Sequence, residues 1–538
     1  MKRIILFLVV ASLLLVSCIG STSSLWGQYQ TPTPFGGKSL SPIAVVDVVN
    51  TQTETSEPEY TSTPFPTLTA SPTSLININV TREPLITPTV YLSPTIPPNS
   101  ILYYAQSGDW LPAVARRFRV DTTEITSPKP LSERGLIDAG TLLIIPDRRD
   151  DPANYTPGIQ VIPDSDVVYS ATAVDFNVGE YVNQAGGYLS TYREYLGTTG
   201  WTTGTEAIER LSYENSINPR LLLAILDYEA HWVRGNPDTP LHADYPMDYQ
   251  KLAYKGLFSQ LVWALNQLSM GYYGWRMGTI TELTFRDGNQ LQIDPALNPG
   301  TVALMVFFSR HHTMNEWLRI MDANSGFPNY YLNMFGDPWV RADQAGPIFP
   351  PGLTQPEMLL PFEPGKLWAY TGGPHGAWEH DGALAAIDFA PQSEKAGCGS
   401  TKFWTTAITP GLVVRSDRGI IVTDMDGDGS EQTGWNILYL HISSEDRSAQ
   451  KGEWLEVGDR IGHASCEGGV STGTHVHIAR KYNGEWVIAD SSMPFVLSGW
   501  TVIAGDEPYL GKMVKGNKVV TADIFGSAKS NIIREKDE

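Results

Sequence analysis

Four histidines and one aspartate in the C-terminal third have the types and spacing that suit a divalent metal. His475 and His477 are separated by one residue, so on a strand both imidazoles point to the same face. His375 precedes Asp388 by thirteen residues, and His441 lies between these two groups. Zinc (Zn2+) accepts imidazole nitrogen and carboxylate oxygen, and a catalytic site keeps three protein ligands and one open position. The sequence therefore predicts a zinc site at which the remaining imidazoles transfer protons.

The sequence predicts β-strands in the segments that must position these residues. Gly411–Ser416, Gly419–Asp424 and Trp435–Ile442 are rich in β-branched and aromatic residues and are bounded by Gly and Asp. Short, regular runs of this kind predict an antiparallel all-β domain over residues 355–515. We interpret residues 516–538 as a C-terminal tail.

Three motifs in this domain resemble a known family. They are Gly372-Gly-Pro-His375, Tyr439-Leu-His441 and the run from Cys466 to His477. Together they resemble the lysostaphin and β-lytic family of zinc endopeptidases. The spacing of thirteen from His375 to Asp388 is similar to that of the β-lytic, or staphylolysin, branch.

The resemblance implies a role for each polar residue of the group. His375, Asp388 and His477 correspond to the zinc ligands, and His475 and His441 to the catalytic histidines. The family cleaves peptide bonds of bacterial peptidoglycan, so this activity is the expected one.

Two other histidines compete for these roles, and one position departs from the family pattern. His380 also precedes Asp388, but the Gly-Gly-Pro context favours His375 as the first ligand. We expect His463 to be structural. Thr474 stands where related sequences often have Pro.

The domain also holds two cysteines, Cys398 and Cys466. In an exported protein they can form a disulfide, and two cysteines allow only one intramolecular pairing.

An acidic turn holds Asp424, Asp426 and Asp428, alternating with Met425 and Gly427. This spacing resembles calcium (Ca2+) loops, although Trp435 stands where an EF-hand loop has Glu. The spacing is consistent with two interpretations, a calcium-binding hairpin and a solvated acidic turn.

Residues 185–340 predict an α-helical domain. Asn218-Pro219 is typical of a helix start, and an apolar run to Val233 follows it. The stretch from Ile217 to Ala230 resembles the helix that carries the catalytic acid of lytic transglycosylases, so the domain has a lysozyme-like alternative. In that reading a raised pKa makes Glu229 a general acid that cleaves glycan strands. Ala230 stands where that family usually has Ser. The simpler interpretation is that Glu229 is a solvated glutamate without a catalytic role.

Residues 101–147 predict a small α/β module with the order strand, helix, helix, strand. Tyr104, Gly108-Asp109, Phe118 and Leu142–Pro146 resemble the LysM module, which implies binding of N-acetylglucosamine-containing glycans. Pro128-Lys-Pro130 departs from the Asn-containing loop of such modules. We interpret residues 148–184 as a linker.

The N-terminus predicts export. Lys2 and Arg3 precede a short apolar run that ends Leu15-Val-Ser-Cys18, which resembles the lipobox of bacterial lipoprotein signal peptides over residues 1–18. Cys18 is the expected lipidation site. Residues 19–100 are rich in Thr, Ser and Pro and predict an extended disordered tether. We expect a protein anchored by lipid to the outer face of the cytoplasmic membrane.

The net charge of −20 argues against nucleic acid as a partner, because phosphates require a basic surface. The sequence thus predicts a multidomain, membrane-anchored zinc endopeptidase that binds and cuts peptidoglycan. Two alternatives stay open: a non-catalytic wall-binding scaffold or hydrolase activator, and additional glycan cleavage by the helical domain.

Overall fold

The computed structural model describes residues 97–378, 380, 382–392, 397–399, 401–445 and 449–538. The predicted signal peptide, Cys18 and most of the tether lie outside these residues. The helices are α1 Leu111–Phe118, α2 Val178–Ala185, α3 Gly204–Asn215, α4 Pro219–Ala230, α5 Pro240–Asp244, α6 Leu257–Met277, α7 Pro299–Ser309, α8 Met314–Ile320, α9 Phe327–Phe335 and α10 Pro338–Ala345. The strands outside the C-terminal third are β1 Ser100–Tyr104, β2 Leu142–Pro146, β3 Arg193–Leu196, β4 Gly200–Thr203, β5 Glu282–Thr284 and β6 Gln290–Gln292.

The strands of the C-terminal third are β7 Leu367–His375, β8 Ala386–Pro391, β9 Trp404–Thr406, β10 Gly411–Asp417, β11 Ile420–Asp424, β12 Trp435–Leu440, β13 Trp454–Leu455, β14 Arg460–His463, β15 Val476–Tyr482, β16 Glu485–Trp486, β17 Val496–Leu497, β18 Trp500–Ala504, β19 Gly511–Lys515, β20 Lys518–Thr521 and β21 Asn531–Ile533. Eight of them form a path in the order β13-β10-β11-β12-β15-β8-β7-β21, and β16 pairs with β15 to complete a nine-stranded sheet. Its neighbouring strands are antiparallel. The predicted antiparallel β architecture of this third is confirmed.

Residues 100–146 form a small module with its own hydrophobic cluster. Strands β1 and β2 pair antiparallel, α1 follows β1, and the second helical piece is a 3-10 turn at Thr122–Glu124. Asp121 caps that turn, since its side chain accepts from the backbone of Thr123. The module has the predicted strand and helix order, with Tyr103 and Phe118 in its core.

Two long helices form the centre of the helical region. Helix α6 packs along α7, and every residue of α7 is buried. Gly271 permits the close approach, because an added Cβ would lie 2.9 Å from the Cα of Ala303 and 2.9 Å from the Cβ of Val306. The central strand β12 is also buried along its whole length, and one continuous hydrophobic core joins these helices to the sheet.

Two boundaries predicted from the sequence are wrong. The predicted linker 148–184 contains α2 and buries Val167 and Val168 completely, so from about residue 160 it is part of the helical fold. The predicted tail 516–538 contains β20, which pairs with β19, and β21, which pairs with β7. Its strands are therefore part of the C-terminal domain.

A buried guanidinium connects the three regions. Arg276 at the end of α6 donates to Glu485 of β16 (Nε to Oε1, 2.8 Å) and to the backbone carbonyl of Ser107 in the small module. Tyr272, one turn earlier, donates its hydroxyl to the same carboxylate at 2.6 Å. The hairpin of β15 and β16 is thereby fixed against the helices. Among the described residues, no helix combines the length and apolarity needed to cross a bilayer.

Candidate metal centre

Three adjacent strands bring the predicted ligands together. In the register of the sheet, His477 on β15 lies opposite Asp388 on β8, and Asp388 lies opposite Gly372 on β7. An irregularity in β7 between Gly372 and His375 turns the end of this strand over the same point. All three side chains are buried.

The ligand atoms form a tight triangle. His375 Nε2 lies 3.0 Å from His477 Nδ1, and each of these nitrogens lies 3.3 Å from Oδ1 of Asp388. The edge of a tetrahedron around zinc, with bonds of about 2.0–2.1 Å, is about 3.3 Å. The triangle therefore has the size of one face of a zinc coordination sphere.

The hydrogen bonds of the two imidazoles fix which nitrogen faces the centre. His375 Nδ1–H donates to the carbonyl of Gly373 at 2.8 Å, and His477 Nε2–H donates to the carbonyl of Ala377 at 3.0 Å. When these rings are neutral, the other nitrogen of each is an acceptor, and the two acceptor nitrogens face each other at 3.0 Å. Such outer hydrogen bonds are typical of metal-bound histidines.

The donor set fits zinc. Asp388 Oδ1 is buried and accepts no hydrogen bond in the described structure, although it faces two imidazole acceptors. A divalent cation between the three atoms satisfies all of them at once. Asp388 is ionised, since burial raises its pKa but the neighbouring histidines, His375 first, outweigh this and hold it well below its usual range.

His475 and His441 lie beside this triangle. His475 Nε2 is 3.8 Å from Oδ2 of Asp388, and its ring centroid is 4.4 Å from that of His441. Each donates its Nδ1–H to a backbone carbonyl, His475 to Gly473 at 2.8 Å and His441 to Glu467 at 2.7 Å. In the neutral rings, the Nε2 atoms are therefore the acceptors. Burial, and then His475 and His477, lower the pKa of His441 to about 3, so its imidazole is neutral.

Tyr509 was not predicted from the sequence. Its ring stacks on His375 at a centroid distance of 4.1 Å, and its backbone carbonyl accepts from Gly373 at 2.8 Å. It follows β18 in a loop that has no motif. Its only sequence signal is an aromatic residue in a turn.

The two cysteines form a disulfide, with 5.7 Å between the Cα atoms of Cys398 and Cys466. The loop that carries Cys398 is held next to the histidine motif, because Thr474 N and Oγ1 donate to the carbonyls of Gly397 and Gly399 at 3.1 and 2.6 Å. A proline has no N–H for the first of these bonds. Thr474, which stands where related sequences often have Pro, thus connects the loop around Cys398 to the strand that carries His477.

The other predicted candidates lie apart from the triangle. His380 is exposed, and the cluster is built with His375 instead. His463 Nδ1–H donates to the carbonyl of Phe403 at 3.0 Å and its ring packs on Trp404. We describe it as structural on this basis.

The acidic turn brings its three carboxylates within reach of one cation. Asp424 is buried and accepts from the backbone of Gly429 at 2.8 Å, whereas Asp426 and Asp428 are exposed. Burial and the neighbouring Asp426 raise the pKa of Asp424 to about 6. Calcium binding here stays a prediction.

Glu229, the residue of the glycan-cleaving hypothesis, is buried against two histidines. Its side chain is 7% exposed, so it is not a solvated glutamate either. Burial raises its pKa, but contacts with His311 and His312 outweigh burial and lower it to about 2. Catalysis by Glu229 stays a prediction.

Comparisons with known proteins relate the chain to LasA. A family model described as the N-terminal domain of LasA matches residues 160–348. Protease LasA of Pseudomonas aeruginosa, from strains PAO1 and UCBPP-PA14, is 25% identical over 308 residues, which cover 53% of this chain and 67% of the relative. This similarity to a protease supports the predicted resemblance to the lysostaphin and β-lytic metallopeptidases. The family model begins at residue 160, where the described fold also places the start of the helical region.

Solved structures of M23 peptidases align with the chain. The M23 metalloprotease pseudoalterin from the deep sea is 23% identical, with a TM-score of 0.25, and the match covers 32% of this chain and 96% of that one. The catalytic domain of lysostaphin from Staphylococcus simulans is 21% identical, with a TM-score of 0.17, and the match covers 24% and 89%.

Proposed function

We propose that this chain is a zinc metallopeptidase that hydrolyses peptide bonds of bacterial peptidoglycan. The observation that carries the proposal is the triangle of His375, Asp388 and His477, with the acceptor nitrogens of His475 and His441 beside it. The relatedness to Protease LasA supports a peptidase. The resemblance of the histidine motifs to the β-lytic family, which cleaves peptidoglycan, supports a cell-wall substrate.

His375, Asp388 and His477 would hold zinc, and three protein ligands would leave a position for water. When bound, zinc lowers the pKa of a water toward about 7 and polarises a carbonyl as a Lewis acid. Asp388 contributes one negative charge, and its burial makes that charge effective at short range.

His475 and His441 supply proton transfer. Their Nδ1–H groups donate to backbone carbonyls, so in each neutral ring Nε2 is the nitrogen that can accept a proton. One imidazole accepts the proton of the attacking water, and an imidazolium then stabilises the oxyanion or protonates the leaving amine. Hydrogen bonding to Gly473 and Glu467 keeps both rings oriented during this transfer.

The rest of the chain delivers the peptidase to its substrate. We propose that the LysM-like module binds the glycan strands, that the segment up to residue 100 is a tether, and that Cys18 carries the lipid. The order of these parts along the chain supports this arrangement, because anchor, spacer and binding module precede the peptidase.

Paired variants test the proposal on purified peptidoglycan. We expect His477→Ala to lose both zinc and peptide cleavage, and His475→Ala to retain zinc but lose most of the turnover. Peptide cleavage is measured as new amino groups, and zinc by elemental analysis. His463→Gln, which changes a histidine outside the triangle, is the control for both measurements.

Two outcomes contradict the proposal. Undiminished cleavage by zinc-free His477→Ala excludes the assigned centre. Release of no new amino groups by the zinc-loaded protein, with wall binding intact, supports the non-catalytic scaffold or activator. Anhydro-sugar or reducing-end products that persist in His477→Ala and vanish in Glu229→Gln support the glycan-cleaving alternative.

A further inference from the structure

We propose that the helical domain contains a second zinc-binding site, formed by Glu229, His311 and His312. These residues lie outside the peptidase centre and have no part in its chemistry. Glu229 is the penultimate residue of α4, and the two histidines occupy the turn between α7 and α8. Consecutive histidines in such a turn can direct both rings to one point, which a regular helix does not allow.

The two imidazoles face the same carboxylate oxygen. His311 Nε2 lies 3.3 Å and His312 Nε2 3.2 Å from the same oxygen, Oε1 of Glu229. All three candidate ligand atoms lie within 4.8 Å of one another. The ring centroids of the two histidines are 4.2 Å apart.

The tautomer of His311 follows from its other nitrogen. Nδ1 lies 3.1 Å from the carbonyl of Phe307 and can act only as a donor to it. The Nε2 atom of the neutral ring is then an acceptor that faces a carboxylate oxygen, which is also an acceptor. This contact is favourable only when a cation or an additional proton lies between them. Metal-bound histidines commonly have this arrangement, with the outer N–H on a backbone carbonyl.

The peptidase centre of the same chain provides a direct comparison. Both sites consist of two imidazole nitrogens and one carboxylate oxygen, and in both the nitrogen-to-oxygen separations are 3.2–3.3 Å. The edge of a zinc tetrahedron is also about 3.3 Å. A mixed nitrogen and oxygen set of this size favours zinc over calcium or magnesium, which prefer oxygen ligands alone.

The surroundings are those of a metal site that is mostly dry. Glu229, His311 and His312 have side chains that are 7%, 4% and 13% exposed. The rings of Trp263 and Phe307 contact that of His311 at 5.2 and 4.9 Å. Aromatic walls limit solvent access, and the partial exposure of His312 leaves room for a water as the fourth ligand. The ion would join the end of α4 to the turn after α7.

Counting zinc ions per chain tests the inference. The full-length protein is dialysed against zinc in the presence of excess calcium, which occupies the acidic turn if that turn binds metal, and zinc is measured by elemental mass spectrometry. We expect two ions in the wild type and one in each of His312→Ala, Glu229→Gln and His477→Ala. The double variant His312→Ala with His477→Ala should hold none.

The variants also separate this inference from the proposed function. Loss of one ion in His312→Ala but none in His477→Ala supports the second site and contradicts the peptidase centre. Glu229→Gln keeps the size of the side chain, so it reports on metal binding even if His312→Ala does not fold. His231→Asn, an exposed histidine of the same domain whose left-handed backbone tolerates Asn, is the control and should keep two ions.

The inference is overturned by a wild type that holds a single zinc lost in His477→Ala, or by two ions in both His312→Ala and Glu229→Gln. Thermal unfolding gives a second measurement. A chelator should lower the Tm of His477→Ala further than that of the double variant, because only the first retains an ion to lose.

Discussion

Gly372 lies against Asp388, one of the proposed zinc ligands. It lies opposite Asp388 across strands β7 and β8. A Cβ at this position would lie 2.6 Å from Oδ2 and 3.0 Å from the Cβ of that aspartate. The backbone of Gly372 is not left-handed, so the effect of alanine comes from contact alone.

The displacement can be derived from these distances. Ordinary contact begins at 3.4 Å, so the carboxylate of Asp388 must retreat by about 0.8 Å in Gly372→Ala. Functional metal sites keep their ligand distances within about 0.2 Å. A misplaced or misdirected ligand typically lowers metal affinity by about 10- to 100-fold, which corresponds to about 1.4–2.8 kcal/mol.

Competition with a chromogenic chelator measures this affinity. We expect Gly372→Ala to bind zinc about 10- to 100-fold more weakly and to lose peptide cleavage in proportion at limiting zinc. Gly197→Ala is the matched control, because an added Cβ there has no neighbour within 4 Å. Wild-type zinc affinity in a folded Gly372→Ala protein would refute the assignment of Asp388 as a ligand.

Three other outcomes follow from buried charges and the disulfide. Arg276→Met leaves Glu485 as an uncompensated buried charge and should lower the free energy of unfolding, measured in urea, by about 3–5 kcal/mol. The double variant Arg276→Met with Glu485→Leu should regain most of this stability. Equal stability of the single and the double variant contradicts the ion-pair argument. Replacing Cys398 and Cys466 by Ser opens a loop of 68 residues and should cost about 4 kcal/mol, seen as a lower Tm that a reducing agent does not lower further. Because the folded-state pKa of Asp424 is raised from 3.8 to about 6, its stabilising contribution is present below pH 3.8 and is lost as pH rises through about 6. Without divalent cations, Asp424→Asn should flatten this decline, and an unchanged pH profile would contradict the raised pKa.

The zinc triangle could be predicted from the sequence because its geometry is local to strands. Alternation along the extended segment that enters β15 places His475, the residue just before this strand, on the same face as His477, and the motif around His375 has a recognisable context. The pairing of His477 with Asp388 could not be derived from periodicity, since it depends on the order of strands in the sheet. Family resemblance supplied that link.

Other features depended on contacts that leave no pattern. Residues 160–176 contain only short 3-10 turns, so burial of Val167 and Val168 has no helical or strand period to indicate it. Strand β21 pairs with β7, which lies far away in the sequence, and this made the end of the chain look like a tail. His311 and His312 gained significance only when folding placed Glu229 beside them.

The docking of the β15–β16 hairpin has a consequence for exchanging domains between relatives. Strand β15 carries His477 near its start and leads through the turn to Glu485 and Trp486, whose backbone N–H donates to Tyr273 of α6 at 3.1 Å. In a peptidase domain transplanted alone, Glu485 and Trp486 would lose their partners on α6 and would have to pack against a different surface. Chimeras should therefore be designed with α6 and the hairpin as one inherited unit, with the exchange point before residue 160.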